Sequence, residues 1–274
     1  MLRQSRSLSE QLALHDEVLS LRRGSCSYGQ IIKQIEQRHG VRLPKSTVSV
    51  WVRGKHLPQG RAYRFEAKAS PELAYVIGVV AGDGSLNVRE YAYRVRLQAT
   101  DLEFVQEFDR CLYKLLGSKP HNVWRGAGRN EYHVEAASFL LHQFLRTPAI
   151  KLGSFIEHDE TCVSSFLRGF FDSEGCVLKS RVISASNTNR PILEYIQKLL
   201  IHWFGIRSRG PYISSRKGSK IFCRERMYLR KSDCFQIVIW PESSEVFRSR
   251  IGFTIRRKRD RLQSEVQPNF TSSR

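Results

Sequence analysis

Asp83 and Glu174 each follow an apolar stretch with a glycine inside it, and each is followed by another glycine. The stretches are Val76-Ile77-Gly78-Val79-Val80-Ala81-Gly82-Asp83-Gly84 and Leu167-Arg168-Gly169-Phe170-Phe171-Asp172-Ser173-Glu174-Gly175. Carboxylates bind hard divalent cations, and with no His or Cys cluster beside them this pair suits Mg²⁺ better than Zn²⁺. Comparable elements follow each stretch in the same order, so the chain reads as a duplicated unit with one acid per copy. Each acid is expected to end a helix. A helix C-terminus carries partial negative charge, so a carboxylate there is disfavoured, and two side by side repel. A cation between them resolves that conflict, which makes Asp83 and Glu174 candidate metal ligands and catalytic groups.

The elements that must bring the acids together can be read from the flanking residues. Ser70-Pro71-Glu72 is a helix start, with a capping hydroxyl, a proline at the first helical position and an acid in the first turn. Leu73, Val76, Ile77 and Val80 then form an apolar stripe at helical spacing. A second stripe is small: Ala74, Gly78 and Ala81 in the first copy, Ser165 and Gly169 in the second. Small residues let helix backbones approach more closely than the usual interaxial distance of about 8–10 Å. The two helices are therefore expected to pack on each other through Ala74, Gly78, Ser165 and Gly169, with their C-terminal ends meeting.

Downstream patterns repeat as well. A short strand leaves Gly84, and Tyr91 to Ala99 alternates, with Tyr93, Val95, Leu97 and Ala99 on one face and Arg94, Arg96 and Gln98 on the other. Asp101 caps a helix burying Phe104, Val105, Phe108, Leu112 and Leu115, closed by Gly117. Strands at 122–126 and 131–137 flank a Gly126-Ala127-Gly128 turn, and a helix runs from Phe139 to Arg146 before Pro148. In the second copy, 176–186 reads as a hairpin and Asn189 caps a helix ending at Gly205. Strands follow near 209–214 and 227–239, then a helix near Glu242–Arg250 and a basic helix from about Arg256.

The two glycine-acid motifs resemble those of the LAGLIDADG homing endonucleases in their single-chain, two-motif form. Gly78 and Gly169 fall on the motif's packing glycine, and Asp83 and Glu174 on its metal-binding catalytic acid. The resemblance covers about residues 70–262. It implies an α+β fold of two pseudo-twofold αββαββα halves whose curved antiparallel sheets straddle DNA. It also implies divalent-metal hydrolysis of both strands of a long double-stranded site, by a monomer. Family members usually carry a Lys or Gln near the end of the second strand of each half. Here those positions are read as Gln98, Ala99 and Thr100 and as Ser184 to Ser186, with Lys179 as a substitute catalytic residue.

Charge points to the same class of partner. The 274-residue chain carries 45 Lys and Arg against 26 Asp and Glu, a net +19, which attracts polyanions at long range. Residues 207–231 concentrate it in Arg207, Arg209, Arg216, Lys217, Lys220, Arg224, Arg226, Arg230 and Lys231, against the single acid Glu225. A strand pattern with so many cations reads as a sheet face or long hairpin along phosphates. Together with Arg94, Arg96 and Gln98 these are the candidate DNA contacts of the duplicated region. Six cysteines without a CxxC pair suggest reduced thiols. No apolar run approaches the roughly 18 residues of a membrane span. An intracellular place, in cytoplasm, nucleoid or organellar matrix, is expected.

Residues 1–56 read as a separate helical module, with a Ser7/Glu10 capping box, a second box at Ser27/Gln30 opening a helix stopped by Gly40, and a third helix from Lys45 to Arg53 burying Val48, Trp51 and Val52. It resembles a helix-turn-helix domain, which places Lys45, Ser46, Thr47, Ser49 and Arg53 on the face entering the major groove. Residues 57–69, with Arg61 and Arg64, read as a basic linker. The remaining divisions are a first half at 70–146, a connector at 147–160, a second half at 161–265 and a tail at 266–274. Two other readings stay open: a cleavage-deficient DNA-binding regulator and an intron RNA maturase.

Overall fold

A computed structural model describes residues 8–56, 58, 65–89, 92–126, 130–178, 181–223 and 226–263, with backbone alone at 8, 9, 223 and 226. The chain divides into two compact units, Met1–Arg64 and Phe65–Arg274. In the first, helices α1 (Leu8–Arg23), α2 (Tyr28–His39) and α3 (Lys45–Val52) enclose a core of Leu14, Val18, Ile31, Ile35, Leu43, Val48 and Trp51. Ser27 and Gln30 form a reciprocal capping box, and Gly40 ends α2 at φ 64°, a left-handed conformation that favours glycine. Ser7, of the other expected box, lies outside the described residues. Val52 is only half-buried.

The second unit opens with α4 (Pro71–Ala81), whose N-cap Ser70 accepts from Leu73 N at 3.2 Å. There follow β1 (Ser85–Arg89), β2 (Ala92–Ala99), α5 (Leu102–Leu116), β3 (Trp124–Arg125), β4 (Tyr132–Ala137) and α6 (Phe139–Leu145). A 3₁₀ turn (Ala149–Lys151) and α7 (Gly153–Ile156) occupy the expected connector. The second copy runs α8 (Glu160–Glu174), β5 (Gly175–Val177), β6 (Ile183–Asn187), α9 (Arg190–Phe204), β7 (Ser208–Ser215), β8 (Lys220–Cys223), β9 (Arg226–Leu229) and β10 (Cys234–Ile239). A 3₁₀ turn (Pro241–Ser243), α10 (Ser244–Arg250) and α11 (Arg256–Gln263) complete it.

Duplication is visible in the sheets. One has the order β1-β2-β4-β3, the other β5-β6-β10-β7, all antiparallel. Alternation decides the faces: Val95 and Leu97 of β2, and Ile237 and Ile239 of β10, are fully buried.

Several local expectations need correction. Leu116, not Leu115, completes the buried face of α5, because Phe104, Phe108, Leu112 and Leu116 recur every fourth residue. Asp101 occupies the N-cap position of α5 without a side-chain cap bond; its carboxylate instead pairs with Arg257 at 2.7 Å. The expected strand at 227–239 is broken, since β9 pairs with β8 and β10 pairs with β6 and β7. The turn falls on the polar run Arg230-Lys231-Ser232-Asp233, which the expected strand spanned.

Candidate active site at the paired helix ends

Helices α4 and α8 make the most extensive contact of any two elements. Glycine decides how close they come. A Cβ on Gly78 would lie 2.2 Å from Phe166 O and 3.0 Å from Phe170 N, while one on Gly169 would lie 2.4 Å from Tyr75 O and 3.1 Å from Val79 N. Each glycine thus covers the carbonyl three residues before the other, which is the signature of a local twofold. Ala74 is buried in α4, and Ser165 is half-buried on α8. The helix ends are equally close: a Cβ on Gly82 would stand 2.5 Å from Ser173 Cβ and 3.1 Å from Glu174 Cγ. Gly84 and Gly175 follow the acids for steric reasons. Added Cβ atoms would meet Val80 Cα at 2.8 Å and Phe171 O at 2.3 Å, because each strand departs by folding back against the last helical turn.

Asp83 and Glu174 therefore stand at one site. Burial, then the like charge of Asp83, pushes the Glu174 carboxyl up to about 7. Asp83 is also raised by burial, with Lys258 opposing. Asp83 nevertheless remains open to solvent. Asn187 Nδ2 donates to Glu174 Oε1 at 2.8 Å and to Ala81 O at 3.4 Å, tying the end of α4 to the acid of α8.

Lys258, outside the motifs, and Asp172, inside the second, complete this neighbourhood. Lys258, only 4% exposed, donates from Nζ to Phe171 O at 2.9 Å and Asp172 O at 2.5 Å, closing the C-terminal end of α8. Burial pulls its pKa down to about 8, while the charges of Asp172, Asp101 and Asp83 favour its cation. Asp172, 1% exposed, accepts from Tyr75 Oη at 3.0 Å and Thr254 N at 2.8 Å, linking both motif helices to the segment before α11. The donors around Asp83 and Glu174 are oxygens crowded with like charge, a set that fits a hard divalent cation. Another grouping, His158, Asp159 and Cys162, keeps its ligand atoms within 4.8 Å of one another. There Asp159 is already engaged as the N-cap of α8, accepting from Cys162 N at 2.8 Å and contacting His158 Nδ1 at 2.9 Å.

Strand register corrects one alignment. Ser85 pairs with Arg96 and Cys176 with Ser184, so Ser184–Ser186 match Arg96–Gln98, and Asn187 matches Ala99. Gln98 and Asn187 are thus the polar residues near the ends of the second strands. Lys179, Arg61, Arg64 and Arg224 lie outside the described residues, and Arg226 opens β9.

The other expected contacts occupy distinct places. Arg94, Arg96 and Gln98 share the face of β2 opposite its core side. Arg94 is paired with Glu135. Arg96 contacts His133 Nδ1 at 2.7 Å, and the ring of His133 stacks on Trp124 with centroids 5.5 Å apart. Arg207 is exposed before β7, and Arg209 lies over the Trp240 ring at 5.2 Å. Arg216 and Lys217 follow β7, Lys220 opens β8, and Arg230 follows β9. In the first unit Lys45, Ser46 and Arg53 are exposed, while Thr47 and Ser49 are half-buried. Among the described residues no helix is long and apolar enough to cross a membrane, and five described cysteines are free.

The sequence profile of the LAGLIDADG-like domain matches residues 161–252. The uncharacterised protein MJ0398 of Methanocaldococcus jannaschii is 34% identical over 265 residues, which span 95% of this chain and 96% of that one. The chain belongs to the LAGLIDADG family. Among solved structures, mesophilic variants of the homing endonuclease I-DmoI superpose with a TM-score of 0.51 at 16% identity, covering 67% of this chain and 91% of theirs. I-DmoI in complex with DNA and Ca gives 0.50 at 19% identity, over 67% and 90%. At these identities the likeness is one of fold, and this LAGLIDADG protein shares the paired-helix, twin-sheet architecture.

Proposed function

We propose that this LAGLIDADG protein is a site-specific, divalent-metal-dependent endonuclease that hydrolyses both strands of a long double-stranded DNA target. The observation that carries the reading is the convergence of Asp83 and Glu174 on adjacent helix ends held together by Gly78, Gly169 and Gly82. A protein that only binds DNA has no need of two converging buried acids, one of which raises the pKa of the other. Asp83 and Glu174 would hold the divalent cation, which would supply a polarised water and neutralise charge on the scissile phosphate. Asn187 orients Glu174, and Lys258 fixes the last turn of α8 from which Glu174 projects. The solvent-facing residues of the two sheets, Arg94, Arg96 and Gln98 among them, meet the duplex, while Lys45, Ser46, Thr47 and Ser49 of α3, with Arg53 at its C-cap, read a flanking segment as a helix-turn-helix would.

A cleavage-deficient regulator is the competing reading. It is favoured by Ser184 and Ser186, which leave no basic side chain on that face of β6. Enrichment of bound fragments from a randomised duplex library, followed by Mg²⁺ addition, separates the two. Double-strand cutting by the wild type and intact DNA with D83N/E174Q, at equal binding, is expected. Binding without cutting by the wild type would assign the regulator reading.

A further inference from the structure

The second half carries an arm that the first half lacks. In the first half, β3 and β4 are joined across residues 126–131, whereas β7 and β10 are joined through the two-stranded ribbon β8–β9. This ribbon pairs only within itself among the described residues. Its base is locked, with Gly218 N donating to Arg230 O at 2.9 Å, Arg230 N to Ser219 O at 3.0 Å and Lys217 N to Asp233 Oδ1 at 2.7 Å. Register places Lys220 opposite Leu229 and Phe222 opposite Met227. Partners in an antiparallel pair share a face, and alternate residues along a strand do too. One face is therefore an apolar stripe of Leu229, Met227 and Phe222, which are 60%, 53% and 76% exposed. An uncovered two-stranded hairpin is marginally stable in water, so three large apolar side chains on it indicate a surface made to be covered. The cations around it, from Arg216 to Lys231, select a polyanion as the cover.

We propose that the β8–β9 ribbon enters the major groove of a DNA flank on the second-half side and that Phe222, Met227 and Leu229 contact thymine methyl groups there. The inference rests on the reading of the chain as a duplex-binding protein. A two-stranded ribbon fits the major groove, whose distinctive apolar feature is the thymine methyl. Four paired residues per strand at about 3.3 Å each reach about 13 Å, or about four base pairs at about 3.4 Å per step. The target is then asymmetric, with extra, thymine-dependent contacts beyond one end of the central site.

The test uses the full chain and a duplex selected by it, with flank thymines replaced by uracil to remove only the methyl groups. Wild-type affinity is expected to fall about fourfold for each contacted methyl lost. F222S/M227S/L229S should bind thymine and uracil flanks equally with an unchanged salt slope, and its hydroxyl-radical footprint should shorten at one end. K220Q/R230Q should instead flatten the salt dependence and keep the thymine preference. Equal wild-type affinity for both flanks, or a full-length footprint with the triple variant, would overturn the ribbon assignment while leaving central binding intact. A change of oligomeric state in the triple variant with an unaltered footprint would also overturn it, assigning the stripe to a second copy. Failure of the wild type to retain any duplex would remove the duplex-binding reading itself.

Discussion

Glu174 retains its proton to about pH 7 because the last turn of α8 buries it and Asp83 stands beside it. The unfolded chain releases the same proton near the ordinary value of 4.5. The folded state therefore binds more protons between these values. Glu174's contribution to stability is fully present below about 4.5 and is lost as pH rises through about 7. Thermal melts of the cation-free protein should show this as a decline over that window that is absent from E174Q. Divalent cations should raise the melting temperature more at pH 8 than at pH 5, where protons compete for the same oxygens. At Lys258, K258M removes the donor to the Asp172 carbonyl and one of the two donors to Phe171 O, which keeps Gly175 N. A loss of about 1–3 kcal/mol in denaturant unfolding is expected, as for other buried unsatisfied polar groups. Asp83 and Glu174 are legible in the sequence because acid and glycine recur together. Lys258 is not, because nothing local in Arg256–Gln263 says which of its basic residues turns inward across the end of α8. Asn187 is hidden by the register: only the pairing of Cys176 with Ser184 reveals that it closes the second strand.

The helix pair sets the position of the acids through contacts that leave no room for a methyl group. G78A forces a Cβ against Phe166 O, and G169A forces one against Tyr75 O; both acceptors are backbone and cannot rotate away. Each change should cost about 1–3 kcal/mol as an overpacking penalty and reduce cleavage more than binding, because the helix ends separate while the sheets persist. Matched denaturation, binding and cleavage measurements check this, and A74S, which adds only a hydroxyl, provides a milder comparison. The small-residue stripe makes this element readable, since i, i+4 spacing has one geometric meaning on a helix. The β7–β10 region is less so. The turn carries no glycine or proline, only the polar run Arg230-Lys231-Ser232-Asp233, and only pairing shows that the hydrogen bonds of β9 go to β8 rather than to the main sheet.

For the whole molecule, charge and modularity govern affinity more than chemistry. Each unit has its own core: Val18, Ile31, Ile35 and Val48 in the first, and the buried phenylalanines around α8 in the second. Deleting residues 1–64 should therefore leave metal-dependent cutting by the second unit intact and weaken duplex binding, because a tethered reader adds affinity through effective concentration. Gel shifts and cleavage assays on the same duplex distinguish these effects. With a net charge of +19, affinity should also fall steeply as salt rises, with a slope that diminishes as phosphate-facing cations are removed. Whether the two acids share one cation is tested by titrating a labelled Glu174 carboxyl by NMR with and without Mg²⁺. A midpoint near 7 without the ion, a fall on adding Mg²⁺, and a lower midpoint in D83N that Mg²⁺ moves much less are expected. Titration near 4.5 in the wild type, unmoved by Mg²⁺ or by the loss of Asp83, would contradict a shared cation.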